Sequence, residues 1–317
     1  MFLKSLDLKS KVHNVSNFTF ENGESFQECL VEYSAFGTIK RNDNDEIINA
    51  VVFIHGIGVN FSSIENLKVL FDKNKSFDLN EYFIIAITSL GTPNTISSSN
   101  FKSKNFPDYT LNDMINLKKV FLKEKFNISH LNGIIGYSFG GFEALKWACD
   151  YPDDLDFLIS LCSSYKTSGI NYFIFKIIKD IASMTGDFNK AIGIANAVFF
   201  PYGLSKEFLK NMENEEIDNN LNLLYEDINY DPKDIIQRSN VAMSFDLTDD
   251  LDKIKSKVLI IAINQDEIFP LNFEAVPMES KIKNSKLITF DSIYGHLGIN
   301  EIFKVDKQIQ NFLNNDI

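Results

Sequence analysis

The stretch Gly133-Ile134-Ile135-Gly136-Tyr137-Ser138-Phe139-Gly140-Gly141-Phe142 decides the fold, because an apolar run, a serine framed by glycines and a helical pattern follow one another without a break. Its centre, Gly136-Tyr137-Ser138-Phe139-Gly140, matches G-x-S-x-G. Small residues recur too often for that pattern to mean much alone. Between a strand and a helix it has a mechanical reason: the sharp turn lifts a serine hydroxyl above the sheet edge, and glycines permit the close packing. The context favours a nucleophile over a plain glycine-rich turn.

Working outward, Gly133–Tyr137 is predicted as a strand, Phe142–Cys149 as a helix ending before Pro152, and Leu155–Cys162 as the next strand. Upstream, Ala50–Ile54 and Phe83–Ile87 are short apolar runs of the kind buried on both faces of a parallel sheet. Met114, Leu117 and Phe121 recur at helical spacing between Thr110 and Lys125, and Thr110 with Asp113 forms a capping box with a shorter acid. Near the N-terminus, Phe18-Thr19-Phe20 and the alternating stretch through Leu30, Val31 and Tyr33 flank a turn at Glu21-Asn22-Gly23-Glu24. Lys257–Ala262 and Lys286–Phe290 resume the strand pattern, and Val305–Leu313 closes the chain as a helix. Between them no comparable strand is found from about Tyr165 to Asp246, while 172–181 and 205–212 are helical in pattern. The expected architecture is α/β, with a mostly parallel sheet covered on both faces by helices. Residues 1–164 and 247–317 are expected to form the core, and 165–246 a helical cap inserted into it.

Charge and composition narrow the partners. The 31 basic and 43 acidic side chains leave a formal charge of -12, which repels nucleic-acid phosphates and anionic lipid. The start of the chain, Met1-Phe2-Leu3-Lys4-Ser5-Leu6-Asp7, has no continuous apolar leader, and no apolar run approaches a membrane span, so a soluble, cytoplasmic protein is expected. Cys29, Cys149 and Cys162 are odd in number and lack C-x-x-C spacing, which suggests buried thiols rather than a disulfide framework or a zinc site. Only Arg41 and Arg238 are arginines, so bidentate clamps for carboxylate or phosphate have few candidates.

A serine hydroxyl is a weak nucleophile near neutral pH and needs a base within hydrogen-bond reach. Of the four histidines, His13 precedes the core, His130 lies at the far end of the nucleophile strand, and His55 belongs to the His55-Gly56 turn. His296, in Ser292-Ile293-Tyr294-Gly295-His296, follows the last apolar strand and is the expected base. The acid that orients it should follow the strand ending at Ala262. Asp266 fits, Glu267 is its neighbour and competitor, and Asp291 at the end of the following strand is a weaker one. Charge on the substrate carbonyl oxygen requires preorganised donors, expected from the backbone N–H groups of Phe139 and Ile57.

Further stretches carry a resemblance: Phe20-Glu21-Asn22-Gly23, Asn49–Val52 leading into His55-Gly56, Phe106-Pro107 with Tyr109–Met114, Gly140–Ala148, Asp266 with Phe269-Pro270, and Tyr294-Gly295-His296. Together these make the chain similar, over most of its length, to the homoserine O-acetyltransferase group of α/β-hydrolase-fold proteins. The resemblance implies an acyl-serine intermediate handed to a second substrate, with Ser138, Asp266 and His296 matching the family's triad. The departures concern the acceptor. Leu297 stands where the family usually carries an aspartate for the amino group of homoserine, and no arginine occurs between Arg41 and Arg238 to hold its carboxylate. Asn196 lies near the arginine's expected place, and the family's glycine-rich stretch is altered to Ser89-Leu90-Gly91-Thr92-Pro93-Asn94.

A zwitterion deprived of both partners is poorly recognised, so water ranks ahead of homoserine as acyl acceptor. The expected function is a serine hydrolase cleaving a carboxylic ester with a short acyl group, and the alternative is a homoserine O-acetyltransferase, for which Arg238 or a cap lysine would have to supply the clamp. A ligand receptor without catalysis is the rival from another class. Small-molecule esters or thioesters are the expected partners, acetyl-CoA entering only as a donor in the transferase reading. No metal or redox cofactor is implied, no substrate-binding residue is assigned, and the oligomeric state, a homodimer included, is left open. Tyr172, Phe173, Phe175, Phe199, Phe200 and Tyr202 are candidates for an apolar acyl pocket, and equally for packing of cap on core.

Overall fold

A computed structural model describes residues 6, 8–101, 106–184, 188–226 and 231–314. Most of the N-terminal stretch searched above for a leader lies outside the described residues.

Strands β1 (Lys11–Thr19) and β2 (Ser25–Gly37) form an antiparallel hairpin around the Glu21–Glu24 turn. β3 (Ala50–Ile54), β4 (Phe83–Ile87), β5 (Leu131–Tyr137), β6 (Leu155–Leu161), β7 (Lys257–Ile263) and β8 (Ser285–Phe290) complete one sheet in the order β1-β2-β4-β3-β5-β6-β7-β8. The pairs from β4 onward are parallel, while β2 joins β4 antiparallel. All five residues of β3 and of β4 are buried, as their unbroken apolar runs require when both faces are covered.

Successive side chains of a strand point to opposite faces, and β3 divides its residues accordingly. Val52 and Ile54 join one apolar cluster with Met114, Phe121, Phe142 and Trp147, whereas Val51 and Phe53 join another with Ile64, Leu67, Ile309 and Phe312. The first cluster is covered by α1 (Leu111–Phe126) and α2 (Phe139–Asp150), and the second by the 3-10 segment Phe61–Leu70 and α9 (Asp306–Leu313). α1 begins with the predicted capping box: Thr110 accepts from the Asp113 N–H, and Asp113 accepts from the Thr110 N–H. Cys29, Cys149 and Cys162 are buried and unbridged.

Between β6 and β7 come five helices of the described residues: α3 (Gly169–Met184), α4 (Phe188–Gly203), α5 (Lys206–Lys210), α6 (Asn214–Glu226) and α7 (Pro232–Met243). The chain leaves and re-enters this segment side by side. A bridge pairs Lys166 with Asp246, and Leu247 N–H and Thr167 N–H donate to Tyr165 and Phe245 carbonyls at 2.9 and 2.8 Å. The pattern at 172–181 marks part of α3, and that at 205–212 marks the shorter α5, capped by Ser205. The expected helix at 305–313 continues a 3-10 segment that starts at Gly295, and α8 (Ala275–Lys281) fills the interval between β7 and β8.

Candidate active site

Ser138 sits at the junction of β5 and α2 with φ 55° and ψ -122°, a conformation costly for an L-residue and therefore held by its surroundings. Its N–H donates to the Leu161 carbonyl at 2.9 Å, and its carbonyl accepts from Gly141 N–H at 2.8 Å and from Ser163 Oγ at 2.7 Å. The flanking glycines are required by contact. A Cβ on Gly136 would stand 2.4 Å from the Gly140 oxygen, and one on Gly140 would stand 2.2 Å from the Ile54 oxygen. Helix α2 starts directly at Phe139, three residues earlier than the hydrophobic pattern indicated, so that the turn passes into the helix without a linker.

His296 follows β8 and reaches back across the sheet edge. Its Nε2 lies 3.0 Å from Ser138 Oγ and its Nδ1 2.7 Å from Asp266 Oδ2. The second carboxylate oxygen of Asp266 accepts from the N–H groups of Ile268 and Phe269 at 2.8 and 2.9 Å, which fixes the carboxylate's orientation. With Asp266 accepting from Nδ1–H, Nε2 presents its lone pair to the serine hydroxyl. All three side chains are buried, Ser138 being 8 % exposed, the least enclosed of them. The other acids lie elsewhere: Glu267 pairs with Lys206 at 3.2 Å, and Asp291 accepts from Asn264 and Gln265 side chains at the surface.

The remaining histidines have other partners. His130 bonds to the Asp153 carbonyl and Asp156, and His13 lies 3.3 Å from Glu124. His55 is wholly enclosed. Its Nε2 accepts from Ser89 N–H at 2.9 Å, so the proton sits on Nδ1 and is donated to the Gly56 carbonyl at 2.7 Å. Burial pushes its pKa down to about 3, and the ring is a neutral brace for the loop that carries Gly56 and Ile57. That loop touches the nucleophile: a Cβ on Gly56 would stand 3.4 Å from Ser138 Cβ. Phe139, on the other side, is the first residue of α2, where an N–H has no acceptor within the helix.

Beside this loop lies a cavity of about 90 Å³, lined among the described residues by Ile57, Gly58, Ile178, Ala182, Ala195, Asn196, Phe199, Ile235 and Ser239. Of the six aromatic residues offered for an acyl pocket, Phe199 alone lines it. Phe175 is core, packing edge-on against Phe142, while Tyr172 and Phe173 are exposed. Leu297 packs near α4, its Cγ 3.3 Å from where a Cβ on Gly203 would stand. Arg238 is fully buried and donates from Nη1 to Thr92 Oγ1 at 2.9 Å. Among the described residues no cluster of three His, Cys, Asp or Glu is placed to hold a metal ion, and no helix is long and apolar enough to cross a membrane.

Two features had no signal in the sequence. Tyr137 stacks on the His296 ring, and Ser239 is among the residues that line the cavity. Both depend on which distant residues meet.

Residues 49–299 match the family model described as alpha/beta hydrolase fold. A protein of Methanothermobacter thermautotrophicus named as a probable acyltransferase is 37 % identical over 318 residues, covering 98 % of this chain and 99 % of that protein. An acetylester hydrolase from Corynebacterium glutamicum superposes with a TM-score of 0.85 at 18 % identity, covering 96 % of both chains. The homoserine O-acetyltransferase from Bacillus anthracis superposes with a TM-score of 0.83 at 20 % identity, covering 97 % of this chain and 98 % of its own. The chain belongs to the alpha/beta hydrolase fold family. It is an enzyme of the acyl hydrolase and acyltransferase class within that family.

Proposed function

We propose that the protein hydrolyses carboxylic esters of short acyl groups through an acyl-Ser138 intermediate. Ser138 Oγ attacks the ester carbonyl while His296 Nε2 takes its proton, and Asp266 holds the imidazolium that forms. The oxyanion is met by the N–H groups of Phe139 and Ile57. The tetrahedral intermediate collapses as His296 returns the proton to the leaving alkoxide. Water, deprotonated by His296, then attacks the acyl-serine carbonyl, and the carboxylic acid leaves as Ser138 regains its proton. In this reading residues 165–246 form the cap that closes the site.

The observation that carries hydrolysis over transfer to homoserine is the lining of the cavity beside Ile57. No charged side chain among the described residues borders it, and Asn196 rather than an arginine stands there. Arg238 is not among the described lining residues, and Lys206 pairs with Glu267 at 3.2 Å. An ammonium and a carboxylate would enter without partners, which costs a few kcal/mol for each. The transferase reading is favoured by a different observation, the name of the 37 % identical relative, a probable acyltransferase. Release of p-nitrophenol from p-nitrophenyl acetate, with and without homoserine, decides between them alongside acetyl-CoA plus homoserine. Turnover indifferent to homoserine is expected. Efficient formation of O-acetylhomoserine overturns the hydrolase reading, and a folded protein that neither turns over nor reacts with a fluorophosphonate favours a receptor.

A further inference from the structure

We propose that Ser205, at the turn between α4 and α5, is a positioning residue for His296: its hydroxyl holds the backbone of the loop that carries the imidazole. The inference rests on the acyl-serine reading above and extends the machinery of that reaction to the helices between β6 and β7.

The base has little freedom to move. Nε2 must stay within reach of Ser138 Oγ, 3.0 Å away, while Nδ1 stays at 2.7 Å from Asp266. Misplacing a reacting group by about 1 Å can cost about a hundredfold in rate. The imidazole nevertheless stands on turn and 3-10 backbone that follows the end of β8, and Ile293, Tyr294 and Leu297 on that stretch are exposed. From the core side, the Tyr137 hydroxyl donates to the His296 carbonyl at 3.0 Å.

The second hold comes from the turn after α4. Ser205 is buried, and its Oγ donates to the carbonyl of Ile293, 88 residues away in the chain and three ahead of His296. The same oxygen accepts from Phe208 N–H at 3.1 Å as the N-cap of α5. Capping uses a lone pair of the hydroxyl and the bond to Ile293 uses its proton, so the two roles are separate.

Contacts around this bond make the turn fit the loop on both sides of His296. Gly295 has φ 55°, and a Cβ on it would stand 2.8 Å from Ser205 N and 2.9 Å from the Leu204 carbonyl carbon. Glycine just before His296 is therefore what lets the turn seat. The rings of Phe208 and Tyr294 meet at 5.2 Å, and Leu297 Cγ comes within 3.3 Å of where a Cβ on Gly203 would stand. Helix α4, which lines the cavity beside Ile57 through Ala195, Asn196 and Phe199, ends on this turn. One helix thus forms a wall of the cavity and leads into the support of the base.

Threonine and glycine rank together as N-caps, a little below serine. Ser205→Thr keeps the donor to Ile293 and Ser205→Gly removes it, so the difference between these variants reads the bond to the loop and not the cap. With p-nitrophenyl acetate, kcat of Ser205→Gly is expected to fall by about tenfold to a hundredfold. Its KM should stay within about twofold, because the ester itself is not touched. Ser205→Thr should stay within about threefold of wild type in both constants. Melting temperatures close to wild type establish that the variants fold. Should Ser205→Gly fail to fold, Phe208→Ala decides, since it removes the ring against Tyr294 and leaves the hydroxyl: a lower kcat at unchanged KM supports the proposal, and a wild-type kcat overturns it.

Equal kcat in Ser205→Gly and Ser205→Thr, or a loss confined to KM, overturns the proposal while leaving ester hydrolysis intact. If no ester is cleaved, the hydrolase reading has failed, and the support is judged without turnover. The downfield proton resonance of His296 Nδ1–H, assigned by its loss in His296→Gln, then reads the geometry. A resonance shifted or broadened in Ser205→Gly and restored in Ser205→Thr supports the proposal, and one identical in both variants overturns it.

Discussion

The ring of Tyr137 lies parallel to the imidazole of His296, centroid to centroid at 5.3 Å with the planes 17° apart, and the tyrosine hydroxyl donates to the His296 carbonyl at 3.0 Å. The residue that directly precedes the candidate nucleophile thus holds both the ring and the backbone of its candidate base. Phe269 adds a second ring, 5.5 Å away and tilted by 52°. An aromatic face beside the imidazole favours the imidazolium that forms when Ser138 gives up its proton. Tyr137→Phe keeps the stack and loses one buried hydrogen bond, so it should cost about 1 kcal/mol of stability and change kcat only a few-fold. Tyr137→Leu removes the stack. There kcat should fall about tenfold or more with little change in KM. An unchanged kcat in Tyr137→Leu removes Tyr137 from the positioning of His296.

Asp266 offers a sharper test, because one of its oxygens faces His296 and the other is fixed by two backbone N–H groups. Asp266→Asn preserves the shape but offers an amide N–H or a neutral oxygen to Nδ1, which spoils the tautomer that Ser138 needs. A loss of about four orders of magnitude in kcat is expected, the size seen when a triad aspartate is so replaced. Glu267→Gln and Asp291→Asn should stay within a few-fold of wild type in the same assay, since neither carboxylate touches His296. A large loss in Glu267→Gln together with an active Asp266→Asn reverses the assignment.

What could be seen in the sequence is what local pattern dictates. The five-residue apolar runs of β3 and β4 can only be strands of a sheet covered on both faces, and Thr110 with Asp113 marks the start of α1 to the residue. The serine turn announces itself because Gly136 and Gly140 are demanded by clashes a few residues away. Helix α4 leaves no legible stripe in the sequence: Gly193 and Pro201 interrupt it, and apolar residues surround much of its girth. The stack of Tyr137 on His296 joins residues 159 apart, and the Ser164–Glu274 contact spans 110, distances that no local periodicity encodes. The candidate triad was legible in its members, with the acid narrowed to neighbours, because chain order constrains it. The cavity was legible only as an excess of aromatic residues, most of which turn out to face elsewhere.

Beneath the loop that carries Ile57, Lys118 and Glu143 form an ion pair of 2.5 Å with both side chains buried, and Ser89 joins it by accepting from Lys118 and donating to Glu143. The backbone of Ser89 holds His55, and His55 holds Gly56, so the pair props the candidate oxyanion loop through two intermediates. Removing one partner leaves a buried charge alone. Lys118→Met should cost about 3–5 kcal/mol in urea unfolding. The double variant Lys118→Met, Glu143→Leu should regain most of it, because an apolar pair has no charge to compensate. Single and double variants equally unstable would mean that the volume of the lysine stem, rather than the pairing, sets the cost.

The contact of Glu274 with Ser164 and with Asn171 of α3 is expected to make the stability of this region depend on pH. Glu274 follows β7, is 4 % exposed, and meets Ser164 Oγ and, at 3.2 Å, Asn171 Nδ2 of α3. Ser164 Oγ already accepts from Lys166 N–H at 3.1 Å and faces two oxygens, the Lys166 carbonyl at 2.8 Å and Glu274. One hydroxyl proton cannot serve both, so the cluster is complete only when Glu274 is protonated and donates. Burial is the leading cause that pushes its pKa from 4.5 to about 7, with the charge of Asp266 adding to it and Ser164 and Lys166 opposing. Because the folded value lies above the unfolded one, this stabilisation is fully present below about pH 4.5 and is lost as the pH rises through about 7, by at most about 3 kcal/mol. Glu274→Gln keeps a donor for Ser164 and an acceptor for Asn171 without the titration. Urea midpoints measured from pH 5 to pH 8 should fall with pH in the wild type more steeply than in Glu274→Gln, and the variant should be the more stable of the two at pH 8. Parallel curves for the two proteins would show that Glu274 stays ionised in the folded state, with Ser164 donating to it rather than to the Lys166 carbonyl.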